Sequence, residues 1–137
     1  MKKILLGIAL TSLTNICLAE IAVVVHPSNM TAVTEDDVSR LFLGKKSSFE
    51  NGDKATPFYL AQGHEAVEEF NKKALGKSSS QLKAYWSKLI FTGKGTPPDA
   101  LGNIEDVLAR VASDPTAIAY VDAAKVTSKV KVALTYK

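Results

Sequence analysis

The amino-acid sequence predicts an α/β fold, a mixed β-sheet flanked by helices. Three observations point there. Residues 21–25 and 117–121 are unbroken apolar runs of the kind found in strands buried on both faces. The stretch between them carries apolar residues at helical spacing, in segments that open on residues able to cap a helix. Strand-like and helix-like segments alternate along the chain, the pattern of one layered domain with its sheet inside.

Taken in order, Ile21-Ala22-Val23-Val24-Val25 is closed by His26-Pro27 and suits a central strand. Thr34 can cap a short helix and Asp37 can reach back to it, with Val38, Leu41 and Phe42 facing inward and Gly44 as the stop. Residues 49–53 read as a turn, and residues 55–61 as a second strand that Pro57 confines to an edge or a strand end. A helix over 63–75 puts Ala66, Val67, Phe70 and Ala74 on one face, opposite glutamates and lysines, and Gly76 ends it. Ser78 and Gln81 form a second capping box, before a stripe of Leu82, Tyr85, Trp86, Leu89 and Ile90. Aromatic residues can form a ligand platform, but Tyr85 and Trp86 fall inside that stripe and read as core.

Residues 93–102, rich in Gly and Pro, read as a loop that carries Lys94 between two glycines. Asn103 can cap a further helix with Ile104, Val107, Leu108, Val111 and Ala112 inward, and Asp114-Pro115 breaks it. After the strand at 117–121, residues 129–134 alternate, with Val130, Val132 and Leu134 on one face, as in a half-exposed strand. No internal repeat or low-complexity segment interrupts the series.

The start of the 137-residue chain reads differently. Lys2 and Lys3 precede an apolar stretch at 4–13, and Cys17-Leu18-Ala19 places small residues at the −3 and −1 positions of a signal cleavage site. Residues 1–19 are therefore expected to be an export signal, and residues 20–137 the secreted, folded domain. Ten apolar residues span only about 15 Å as a helix, roughly half a bilayer core, so no stable membrane insertion is expected once the signal is removed. Cys17 is preceded by Thr14-Asn15-Ile16, a poor match to a lipid-attachment site, and it is the chain's one cysteine. Disulfides and thiol chemistry are thus excluded from residues 20–137.

Charge narrows the partners. The formal net charge is +3, and since all fourteen acidic residues lie from Glu20 onward, loss of Lys2 and Lys3 lowers it by two to +1. With its lysines dispersed, the chain lacks the basic footprint of a nucleic-acid binder.

Catalytic motifs are equally sparse. The sequence holds no phosphate-loop lysine motif and no Gly-x-Ser-x-Gly elbow, and its two histidines, His26 and His64, lie far apart. No nucleophile, base and orienting residue can be assembled, no metal-ligand spacing occurs, and no cofactor is expected; the chain reads as a non-enzyme. His64 and Glu68, one helical turn apart, read as a surface contact. The segment Gln62-Gly63-His64 is more informative, because it joins a strand end to a helix start. Free N–H groups at such a turn can receive an anion, Gly63 lets the backbone approach closely, and Gln62 and His64 add side-chain donors. The alternative is a plain strand-to-helix turn with an exposed histidine, and Glu65 and Glu68 bring negative charge to the same place.

Several of these pieces, in this order, resemble the periplasmic phosphate-binding protein family, the substrate-binding components of phosphate ABC transporters. They are the strand at 22–27, then Leu41-Phe42-Leu43-Gly44-Lys45, similar to the family's "IFxGK", and Phe49 with Asn51-Gly52. Gly63, Phe70, Trp86 and Phe91-Thr92-Gly93 follow, and Asp114-Pro115-Thr116-Ala117-Ile118-Ala119-Tyr120-Val121 is similar to "xPGAIGYV". The resemblance implies a single lobe of a type II periplasmic-binding-protein-like fold, in a family whose members close two lobes on an oxyanion. Where the family presents an arginine and hydroxyl side chains, residues 59–64 read Tyr-Leu-Ala-Gln-Gly-His, so Gln62, Gly63 and His64 alone carry over by position. The implied function is that of a phosphate or other oxyanion-binding module linked to ABC transport, with a permease, another envelope protein or a second copy in a homodimer as partner. The alternative is a structural or interaction protein of the envelope that keeps the lobe.

Overall fold

The computed structural model describes residues 20–137; the expected export signal and Cys17 lie outside them. One five-stranded sheet in the order β3-β2-β4-β1-β5 forms the middle layer. Its strands are β1 (Ile21–Val25), β2 (Thr56–Leu60), β3 (Asp99–Leu101), β4 (Ala117–Asp122) and β5 (Lys131–Tyr136). β2 runs parallel to β3 and β4, and β1 antiparallel to β4 and β5, so β1 alone is reversed and the sheet is mixed. The helices are α1 (Glu35–Phe42), α2 (Glu65–Phe70), α3 (Ser79–Phe91) and α4 (Ile104–Ser113).

Burial explains the apolar runs. Every residue of β1 is buried, as are Ala117 to Val121 of β4, because both faces of the sheet are covered. Successive strand residues point to opposite faces. Tyr59 of β2 and Tyr120 of β4 meet Phe42 of α1, and Tyr120 also meets Phe70 of α2, whereas Phe58 lies beneath Arg110 of α4, 5.0 Å from guanidinium carbon to ring centroid. α1 and α2 therefore cover one face and α4 the other. α3 joins the first group, with the Tyr85 hydroxyl donating to the Leu43 carbonyl at 2.6 Å.

Four elements depart from the sequence pattern. The stretch 93–102 is not wholly loop, since Asp99–Leu101 pairs in parallel with Phe58–Leu60 as an edge strand. The helix after β2 widens into a π-helix over Asn71–Leu75 before Gly76 (φ 64) ends it. A π-helix bonds i to i+5, so each residue advances less around the axis than in an α-helix. Leu75 consequently turns inward and Ala74 is only partly buried, while Asn71, one α-helical turn after buried Val67, is buried as well. In β5, Val23 pairs with Leu134 but Val24 with Val132, which leaves Ala133 as an extra residue. That bulge shifts the phase, so Val132 is exposed while Leu134 packs on the core. Finally, α3 buries Leu82 and Trp86 but leaves Ile90 at its end exposed.

Local capping sets where the helices begin. Thr34 Oγ1 accepts the Asp37 N–H at 3.1 Å and Asp37 Oδ2 accepts the Thr34 N–H at 3.0 Å; Ser78 and Gln81 form the same reciprocal pair. Asp37 also receives Lys46 Nζ at 2.8 Å. That bond first, and the Thr34 N–H second, hold its carboxyl at about 2 against an ordinary 3.8. A carboxyl depressed by folding stabilises fully above its unfolded value and loses that contribution as pH falls through the folded one. Asp37→Asn is expected to lower the melting temperature at neutral pH and to flatten the loss of stability between pH 3.8 and about 2, as read by circular dichroism melts.

Candidate functional site

The site grows from the way β2 leaves β4. Their ladder covers Thr56 and Pro57, opposite Ala117 and Ile118. Pro57 has no N–H to extend it. Beyond that point Phe58–Leu60 pairs with β3, and the Leu60 N–H donates to the Tyr120 hydroxyl at 3.3 Å in place of a ladder bond. Beside this separation lies a cavity of ≈ 550 Å³ whose walls include Tyr59 and Tyr120 of the sheet, Leu82 and Trp86 of α3, and Pro97 and Pro98 of the loop before β3. Trp86 is thus core, 6 % exposed, and cavity wall at once.

The three residues singled out in the sequence lie at the C-terminal end of β2. Gln62 is exposed and reaches the cavity. Gly63 has φ 100, a conformation that L side chains rarely adopt, and no atom stands within 4 Å of where a Cβ would be. Its N–H and that of His64 make no hydrogen bond among the described residues. His64 is the cap residue of α2 but makes no capping bond with its side chain. Its Nε2 instead donates to the Gly102 carbonyl at 3.1 Å, tying the turn after β2 to the turn after β3. In the neutral ring that bond leaves Nδ1 as an acceptor, which repels an anion. The expected His64–Glu68 contact is absent, because Glu68 accepts the hydroxyl of Ser79. Glu65 and Glu68 occupy the first turn of α2.

One residue of the site escapes a pattern reading. Asn71, at the start of the π-helical segment, is 1 % exposed and lines the cavity. Its Nδ2 donates to Ser79 Oγ at 3.3 Å, and the Ser79 hydroxyl in turn donates a hydrogen bond to the Glu68 carboxylate. Since Ser79 can only accept from Asn71, the amide orientation is set, and Oδ1 is left buried with no hydrogen-bond partner. The one sequence signal was a polar residue directly after Phe70 at the margin of the stripe.

Proton chemistry has little to work with here. Tyr59 donates to the Phe42 carbonyl at 2.7 Å, and burial pushes its hydroxyl up to about 12, an effect the Trp86 side chain partly offsets. Burial likewise raises Tyr120. Among the described residues no group of three or more His, Cys, Asp or Glu could hold a metal ion, and no helix is long and apolar enough to cross a membrane.

No family model and no curated protein matches the chain. Solved structures do. A candidate phosphate ABC transporter substrate-binding protein from Clostridium perfringens, solved with bound phosphate, is similar at a TM-score of 0.65 and 16 % identity, over 83 % of this chain and 44 % of that one. An ABC-type phosphate transport receptor from Vibrio cholerae gives 0.64 and 14 %, over 83 % and 46 %. PstS from Borrelia burgdorferi gives 0.54 and 11 %, over 77 % and 42 %. The chain spans less than half the length of the solved structures it matches. Its fold is that of a periplasmic-binding-protein lobe, a mixed sheet flanked by helices, and its structural neighbours are binding proteins rather than enzymes.

The polar chain beside the cavity can be probed directly. Ser79→Ala removes the acceptor for the buried Asn71 Nδ2 and is expected to cost about 1–3 kcal/mol of stability. Ser80→Ala, one residue on and exposed, should stay within about 0.5 kcal/mol, both measured by urea unfolding.

Proposed function

We propose that this chain is a non-catalytic binding module of the periplasm that receives an oxyanion, phosphate foremost, at the Gln62-Gly63-His64 turn. It would work with an ABC permease or another envelope protein. The observation that carries this reading is the position of the turn. It lies outside the carboxyl ends of the parallel strands β2 and β3, where open α/β sheets receive ligands, in a fold shared with phosphate-transport proteins. The unpaired N–H groups of Gly63 and His64, and the open space over Gly63, support it.

The same turn sets the strength of binding. No arginine stands at the turn, the two glutamates oppose an anion, and His64 is engaged with Gly102. Affinity on the order of millimolar follows for the isolated chain, and a second wall supplied by another protein or a second copy would raise it. Calorimetric titration with phosphate and sulfate tests this. Saturable heat is expected at millimolar anion, weakened about tenfold in Gly63→Val, whose branched side chain disfavours the φ of 100. Absence of heat at about 10 mM anion would overturn it.

A second reading rests on a different surface. Ile90 and Phe91 at the end of α3 are 54 % and 92 % exposed, adjacent apolar side chains of the kind that mark protein contacts. On that reading the chain is an interaction protein of the envelope. Phe91→Ser would then abolish stoichiometric co-purification of a partner and leave the anion titration unchanged.

A further inference from the structure

We propose that the cavity beside Asn71 is a second binding site, for a small, neutral, ring-bearing molecule that carries a hydroxyl or N–H donor. This goes beyond the oxyanion reading and does not depend on it.

Size argues first. A volume of ≈ 550 Å³ falls within the roughly 300–1,000 Å³ of small-molecule sites and far exceeds what a tetrahedral ion fills. The walls argue next. Tyr59, Trp86, Pro97 and Pro98 contribute rings to the lining and Leu82 an aliphatic side chain, a largely apolar wall suited to an apolar ring.

Two buried polar atoms of the lining residues then bear on the ligand's chemistry, Asn71 Oδ1 and the Trp86 indole N–H, neither of which has a hydrogen-bond partner among the described residues. Asn71 is buried, with its Nδ2 committed to Ser79 and its Oδ1 unpartnered. A buried carbonyl oxygen without a donor is a standing demand for one. An anion would meet that oxygen's lone pairs, with Glu68 just behind Ser79, and Lys83, the cation lining the cavity, is exposed. A neutral hydroxyl or N–H satisfies the oxygen without moving a charge out of water.

A second, independent feature marks the same residue. The helix changes from α to π at Asn71, which lies one α-helical turn after buried Val67 and is itself buried at the start of the widened segment. π-Segments within helices recur at functional sites.

The chain has a single tryptophan, and it lines the cavity, so intrinsic fluorescence reports occupancy. The full chain is titrated with benzyl alcohol, with benzyl methyl ether, which has the ring but no donor, and with benzoate, which is charged. Benzyl alcohol should give a saturable change with a Kd about five- to tenfold below that of the ether, and benzoate should bind more weakly than either. Asn71→Leu should erase the preference for the alcohol. Ala100→Phe, at an exposed residue of the cavity wall, should abolish the response with the circular dichroism spectrum unchanged. No saturable change with benzyl alcohol, equal affinity for alcohol and ether, or a full response in Ala100→Phe would overturn the proposal. If Asn71→Leu does not fold, the alcohol and ether titrations of the unaltered chain still decide. Heat from phosphate is a separate measurement, so either site can fail without the other.

Discussion

The structure hangs on the stack between Phe70 and Tyr120, whose rings lie 3.8 Å apart and 5° from parallel. Phe42 meets Phe70 at 4.9 Å, edge to face, and Tyr59 and Tyr136 close the cluster, so α1, α2, β2, β4 and β5 share one aromatic centre. Each such pair adds about 0.5–1.5 kcal/mol beyond the area it buries. The stack also fixes geometry. It sets the rotation of α2 about its axis, and it aims the Tyr120 hydroxyl at the Leu60 N–H, which the ladder to β4 no longer serves. The cavity exists because β2 can part from β4 there without leaving a buried donor unpaired.

What could be read from the sequence was whatever is decided locally. Capping boxes at Thr34 and Ser78 join residues three apart, and the doubly buried strands β1 and β4 announce themselves by continuous apolar runs. Three of the four departures in the fold involve distant partners. Asp99–Leu101 becomes a strand because β2 offers a parallel edge, and nothing in Asp-Ala-Leu itself demands it. The bulge at Ala133 appears only in register with β1. The π-helical turn follows from holding Phe70 against Tyr120 while Leu75 also reaches the core, a tertiary requirement that periodicity cannot express. The site divides the same way. Gln62 and Gly63 stand where a strand-to-helix turn puts them, whereas the bond from His64 to Gly102 spans 38 residues and the burial of Asn71 depends on the packing of α2 against the sheet.

Fold and ligand chemistry separate cleanly in this molecule. The fold is similar to that of structures described as phosphate-transport proteins, at 14–16 % identity. The polar groups around the crevice are this chain's own: two glutamates in the first turn of α2, an imidazole turned to a carbonyl, and a buried amide oxygen. A lobe of this kind supplies a rim at the strand ends, and the side chains on that rim decide what it holds.

The imidazole of His64 makes that rim a single object. The turn before α2 and the turn before α4 leave the sheet toward opposite faces, and the bond to Gly102 braces one against the other. Asn103, next in sequence to Gly102, caps α4 through its hydrogen bond with the Asp106 N–H. The turns that open α2 and α4, on opposite faces of the sheet, are thus connected at the sheet's edge by one hydrogen bond as well as through the core.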